Sequence, residues 1–177
     1  MKMDRLLIVT GGNRGIGRQI ALSALDAGWR VAISYGVNQK LASDMEKASN
    51  GRIKAFSLDV ANPKSISKFF EKITKEMGTA DALVTAAGID NGERPVAELD
   101  QEFVLSIMKV NVVGLIICCQ EFTKRAVSTG RKGVIVNLSS MAATIGGRKH
   151  KTVYAASKGA VDVFTIGAAK ELATHGI

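Results

Sequence analysis

The chain is predicted to form an α/β protein, a doubly wound parallel sheet with helices on both faces. Short β-branched runs alternate with longer amphipathic stretches, the runs are too apolar to face water, and a glycine-rich turn follows the first of them. Strands apolar on both sides belong to parallel sheets covered by helices. With 177 residues, 46% of them apolar, residues 1–177 are expected to make one domain, which removes roughly 70% of its unfolded surface from water.

The elements follow in order. Leu6 to Thr10 reads as the first strand, and Gly15 to Ala27 as a helix closed by Gly28. Arg30 to Tyr35 is the second strand, with a helix over about Gln39 to Ser49 behind it. Ile53 to Leu58 is the third, and Pro63 opens the next helix at a favoured early position, with Lys64 to Met77 following. Asp81 to Ala86 is the fourth strand, Asp100 to Val127 a long helix, and Gly133 to Leu138 the fifth strand. The last helix, about Thr152 to Thr174, carries Tyr154 and Lys158 and has Gly176 as its C-cap. No internal repeat or low-complexity linker interrupts the alternation.

Composition narrows the setting. The most membrane-like stretch, Val110 to Cys119, contains Asn111 and Gly114 and falls short of the ~20 apolar residues a bilayer requires. Lys2, Asp4 and Arg5 precede only a brief apolar run, so the amino terminus lacks the h-region of a signal peptide. A cytoplasmic protein is expected. Cys118 and Cys119 are sequence neighbours in an apolar helical run, where burial as thiols is expected rather than a strained mutual disulfide; they make no metal site. The 24 basic residues exceed the 16 acidic ones, for a net charge of +8. Lys68, Lys72 and Lys75 read as a solvated helix face, and Arg148 to Lys151 as a compact basic loop. No aromatic ladder or nucleic-acid motif accompanies them, so a phosphorylated cofactor or an acidic carrier protein is the better partner.

Chemistry begins in the turn after the first strand. Gly11, Gly15 and Gly17 have the spacing T-G-x-x-x-G-x-G, which provides a tight turn, close backbone approach to a pyrophosphate, and a helix N-terminus whose free amides attract the anion. An acidic residue after the second strand would bind a ribose 2′-hydroxyl and repel a 2′-phosphate. Here Ser34 to Asn38 contains no carboxylate, and Arg14 offers a planar cation instead. NADP(H) is therefore expected ahead of NAD(H).

Tyr154 and Lys158 share one side of a helix at i and i+4. A free tyrosine titrates near ~10, and one ammonium at ~4 Å, at an effective dielectric near 20, supplies the roughly 3–4 kcal/mol that would bring such a group within reach of neutral pH. Ser140 would hold the substrate oxygen while Tyr154 exchanges a proton and the nicotinamide carries hydride.

Taken together, these motifs resemble the classical short-chain dehydrogenase/reductase family, and the likeness extends over the whole chain, closest to its 3-oxoacyl-carrier-protein reductases. Asp59 and Val60 fit the adenine-contacting pair after the third strand, Asn111 the family's fourth catalytic residue, Ser140 the second serine of its N-x-S-S pattern, and Tyr154 with Lys158 its Y-x-x-x-K. The resemblance implies a Rossmann-like sheet, with Tyr154 as acid/base and Ser140 orienting the carbonyl. Lys158 would hold the nicotinamide ribose and lower the tyrosine pKa, and Asn111 would anchor a relay water. It also implies cofactor contacts from Gly11, Asn13, Arg14, Gly15, Ile16, Gly17, Tyr35, Asp59, Val60, Ala87, Gly88, Asn111, Tyr154 and Lys158. Ser139 is the alternative to Ser140; neighbours on a strand face opposite ways, and family position selects Ser140.

There are departures. Where the family usually has N-N-A-G after the fourth strand, this chain reads Thr85, Ala86, Ala87, Gly88, which puts local rigidity and cofactor affinity at stake. The chain also stops at Ile177, where family members continue into two further strands and part of the substrate pocket, so a truncated member with a bare fifth strand is expected. The function expected is an oxidoreductase acting on a ketone or secondary alcohol, such as a 3-oxoacyl or sugar substrate, free or linked to a carrier protein. The alternative is a cofactor-binding or interaction protein without turnover. Pairing of the two long helices between subunits would make a homodimer or homotetramer.

Overall fold

The computed structural model describes residues 4–177; Lys2, read above as part of the charged amino terminus, lies outside them. Five parallel strands form one sheet in the order β3-β2-β1-β4-β5, with β1 Leu6–Thr10, β2 Arg30–Tyr35, β3 Ile53–Ser57, β4 Ala82–Thr85 and β5 Val134–Asn137. The winding reverses between β1 and β4, and ligands in such sheets bind in the crevice beyond the strand ends at that point.

Alternation along β1 divides the core. Leu6 and Ile8 face one layer with Phe69, Phe70, Cys118, Phe122 and Val161, from α3 Pro63–Met77, α5 Leu115–Ser128 and α7 Thr152–Leu172. Leu7 and Val9 face the other, with Ala21 of α1 Gly15–Asp26 and Met45 of α2 Gln39–Ala48. Local chemistry sets the helix starts. The Asn62 side chain accepts from the Lys64 and Ser65 amides at 3.0 and 3.4 Å, with Pro63 at the first position of α3. Asn38, at φ +51°, caps α2 through the Leu41 amide.

The single long helix expected from Asp100 is interrupted. α4 Gln101–Met108 passes into a π-helical turn, Lys109–Gly114, and then into α5. The reason is a close approach: a Cβ at Gly114 would lie 2.2 Å from the Val60 carbonyl oxygen, so the backbone there is pressed against the loop after β3. The whole helical run Gln101–Ser128 is also long and apolar enough to cross a membrane by length and composition. That corrects the expectation based on Val110 to Cys119 alone. In this fold Leu115, Cys118 and Phe122 of the run are core residues.

There are two smaller differences. Between Ser140 and the basic loop, where no element is assigned above, lies a short helix, α6 Ala142–Ile145. The last helix ends at Leu172, and Gly176, at φ +70°, caps the following 3₁₀ turn Ala173–His175. Among the described residues β5 pairs only with β4, and Val134 and Val136 are exposed.

Candidate functional site

A cleft of about 780 Å³ opens at the switch point, between the end of β1 and the end of β4. Its floor is the glycine turn. A Cβ at Gly17 would lie 2.4 Å from the Gly11 carbonyl oxygen, and one at Gly11 would press on Ala87 at 3.0 Å; only bare backbone fits. Arg18 is the first residue of α1 whose amide reaches back to a carbonyl, that of Arg14, so the Gly15, Ile16 and Gly17 amides point out of the helix start. This is the cradle a pyrophosphate requires. Other groups in the turn are already engaged. The Gly11 amide donates to Ser34 Oγ at 2.9 Å and the Gly12 amide to the Ser34 carbonyl at 3.1 Å. Asn13 is buried and donates from Nδ2 to the Asn38 carbonyl at 3.3 Å, which ties the turn to the loop after β2. Arg14 is exposed on the cleft wall.

The opposite wall carries the reactive candidates. Tyr154 and Lys158 line the cleft from α7, and the Lys158 ammonium lies 5.9 Å from the Tyr154 ring centre. Lys158 is buried and donates to the Leu138 carbonyl at 2.7 Å. Burial pushes its pKa down from the usual lysine range, and nearby Asp162 opposes that only in part. Asn111 sits in the π turn, as residues at such turns often do at functional sites. Its side chain brackets Ile89, accepting from the amide at 2.9 Å and donating to the carbonyl at 2.8 Å. It donates also to Ser157 Oγ at 3.0 Å, and Ser157 in turn donates to the Tyr154 carbonyl at 2.7 Å. Gly88 lies between the two groups: a Cβ there would be 3.4 Å from Asn111 Oδ1 and 3.8 Å from Lys158 Nζ.

The predicted residues fall into two sets. Gly11, Arg14, Gly15, Ile16, Gly17, Ala87, Gly88, Tyr154 and Lys158 border one cleft, and Asn111 abuts it through Ile89 and Gly88. Tyr35, Asp59 and Val60 lie off its wall at the ends of β2 and β3; Asp59 is exposed, and its carboxylate accepts the Ala61 amide at 2.9 Å. Of the two serines, Ser139 borders the cleft and donates to the Lys158 carbonyl at 3.3 Å. Ser140 Oγ accepts the Ala142 amide at 3.1 Å, at the entry to α6. Sequence reasoning missed Ser157 and Ser34. Each is a fully buried serine, and only its place beside Lys158 or at the end of an apolar strand could have marked it. Cys118 and Cys119 are buried free thiols, with Cys119 pushed up to about 12, chiefly by burial. Neither titrates near neutrality, and no cluster of metal-ligating side chains occurs among the described residues.

A switch-point crevice with free helix-start amides on one wall and a tyrosine–lysine pair on the other is a Rossmann-type arrangement. Comparison with known proteins specifies it further. The family model described as short chain dehydrogenase matches residues 5–177. An uncharacterized oxidoreductase, YgfF of Escherichia coli, is 37% identical over 97% of this chain and 72% of its own length. The 3-oxoacyl-[acyl-carrier-protein] reductase FabG of Staphylococcus aureus is 32% identical over 100% of this chain and 72% of its own. Carbonyl reductase family member 4 of Danio rerio is 33% identical over 99% and 72%. Among solved structures, gox2181 superposes with a TM-score of 0.92 at 29% identity, over 98% of this chain and 68% of that one. The chain belongs to the short-chain dehydrogenase family.

Proposed function

We propose that the protein is an NADP(H)-dependent oxidoreductase that interconverts a ketone and a secondary alcohol, with a 3-oxoacyl thioester as the substrate class. One observation carries the reading: Tyr154 and Lys158 share the cleft with the exposed amides at the start of α1. The glycine turn leaves room only for a ligand that packs on bare backbone, and its amides and Arg14 suit phosphate groups. The bound nicotinamide supplies or accepts the hydride. Everything else is work for the chain. Gly15, Ile16 and Gly17 would hold the pyrophosphate through their amides, and Arg14 would offer its guanidinium to a ribose phosphate. Lys158 holds its ammonium at the Leu138 carbonyl, within reach of a sugar hydroxyl. The Tyr154 hydroxyl moves the proton to or from the substrate oxygen, and a serine hydroxyl at the end of β5, Ser140 by family position, orients that oxygen. Asn111 keeps the Ile89 segment against the cleft. FabG's name supports the 3-oxoacyl group and its carrier, to which the Arg148–Lys151 loop would offer positive charge.

A fluorescence titration with NADPH and NADH, followed by turnover of a 3-oxoacyl thioester, tests the reading. Saturable binding favouring NADPH, with turnover that falls by at least about 10²-fold in Tyr154→Phe, supports it. Binding without turnover over a panel of ketones selects a cofactor-binding protein instead.

Self-association belongs to the same proposal. α5 and α7 share an outward groove of about 570 Å³ lined by Ile116, Val127 and Phe164, with Val163 and Ile166 exposed nearby. A second copy is the occupant this reading expects. A mass in solution of two or four times 18.8 kDa supports it, and a monomer counts against it. The two buried thiols suit a reducing, cytoplasmic setting.

A further inference from the structure

Helix α7 carries Tyr154 in its first turn, and that turn breaks the ordinary rules for a helix start. Lys151 occupies the N-cap without a capping side-chain hydrogen bond, and no acidic residue stands in the first turn. Helix starts favour a capping oxygen and a negative charge. The approach is basic as well, through Arg148, Lys149 and His150. His150 has φ +64°, a region that residues with a side chain seldom adopt.

A negative charge reaches the helix start from a distant segment. Lys151 Nζ donates to Asp90 Oδ2 at 3.0 Å, and Asp90 Oδ1 accepts the Gly92 amide at 3.2 Å. The Arg94 amide donates to the His150 carbonyl at 2.9 Å. Asp90 follows Ile89, the residue bracketed by Asn111, and both border the cleft. The lysine side chain is only 17% exposed, so its stem is packed rather than waving in solvent. Its hydrogen bond also holds the Asp90 carboxyl below the usual carboxylate range.

We infer that Asp90 and Lys151 are positioning residues for the reaction: their ion pair clamps the loop after β4 to the start of α7 and so places Tyr154 relative to Asn111. The inference rests on the oxidoreductase reading above. An ion pair with one partner largely in solvent adds little to global stability, so its effect falls on placement. Displacing a reacting group by about 1 Å can cost on the order of 10²-fold in rate.

The test compares Lys151→Met, Lys151→Arg and the exchanged pair, D90K with K151D in one chain. Two readouts are taken: amide hydrogen exchange over residues 152–156, and steady-state kinetics with NADPH and a 3-oxoacyl thioester. Lys151→Met is expected to speed local exchange by roughly tenfold. It should lower kcat by roughly tenfold while KM stays within about threefold, and Tm should hold. Lys151→Arg and the exchanged pair should recover most of both losses. Exchange and kcat in Lys151→Met equal to those of the unsubstituted chain would overturn the clamp, as would no recovery in either restoring variant. An unsubstituted chain that binds NADPH but turns over neither the thioester nor any member of a ketone panel defeats the oxidoreductase reading, and local exchange then decides the clamp alone.

Discussion

The Thr85 hydroxyl donates to Asn137 Oδ1 at 2.8 Å across the β4–β5 ladder, where the two are register partners. The same Asn137 oxygen accepts the Cys119 thiol of α5 at 3.4 Å, and its Nδ2 donates to Thr165 Oγ1 of α7 at 2.9 Å. The Thr165 hydroxyl donates in turn to the Val161 carbonyl at 2.7 Å. Two strands and two helices are thereby joined by one chain of hydrogen bonds. It stands where Thr85 and Ala86 replace the amides usual in this family. A second hydroxyl helps next door: the Ala87 amide donates to Thr10 Oγ1 at 3.2 Å. At the altered turn, threonine hydroxyls make these hydrogen bonds.

Removing one member should cost less than removing the hub. Thr85→Val keeps the shape and loses one bond, about 1 kcal/mol. Asn137→Leu strands the Thr85 hydroxyl in a buried site and deprives Thr165 of its donor, about 2–3 kcal/mol. Urea midpoints of the two variants measure the difference. Equal losses would mean that the network is not organised around Asn137.

Gly114 offers a test of opposite sign to helix propensity. In an ordinary helix, glycine to alanine stabilises by about 1 kcal/mol. Here a Cβ would meet the Val60 carbonyl at 2.2 Å, so Gly114→Ala should destabilise by roughly 1–3 kcal/mol, as overpacking does. Thermal unfolding reads the sign directly. A rise in Tm would show that the π turn relaxes without strain.

The strands and their order of use were legible because β-branched runs and glycine turns are local signals. β1 and β2 match their expected bounds, and Tyr154, Lys158 and the glycine turn border one cleft. The break at Lys109–Gly114 was not legible, since it arises from contact with Val60, far away in sequence. Ser157 was hidden for a like reason: its meaning lies in its bond to Asn111, 46 residues off. α6 was missed because a helix of four residues leaves no periodicity to read.

Acid should weaken the fold partly through Glu121. Burial alone would raise its carboxyl, but hydrogen bonds from Arg125 at 2.6 Å and Lys124 at 3.3 Å outweigh that and hold it below its ordinary 4.5. Because the folded pKa is the lower one, the contribution is complete above the unfolded value and is lost as pH falls through the folded value. Glu121→Gln should therefore cost stability at pH 7 and much less at pH 3, as measured by urea unfolding at both. A cost that does not shrink at pH 3 would show that shape, rather than charge, holds that site.

The proposed preference for NADP(H) rests on Arg14 and the end of β2. Arg14 is exposed on the cleft wall, and Ser34 to Asn38 presents no carboxylate to repel a phosphate. A hydrogen bond between guanidinium and phosphate is worth about 1.5–3 kcal/mol. Arg14→Ala should accordingly weaken NADPH binding by roughly 10- to 100-fold and NADH binding by less than about threefold. Val37, 80% exposed just past β2, provides the converse: Val37→Asp introduces the carboxylate that binds a ribose 2′-hydroxyl and repels a phosphate there. It should lower NADPH affinity and raise that for NADH, read by the same fluorescence titration. If Arg14→Ala weakens both cofactors equally, the guanidinium serves the pyrophosphate they share, and the preference must be sought in the Tyr35–Asn38 backbone.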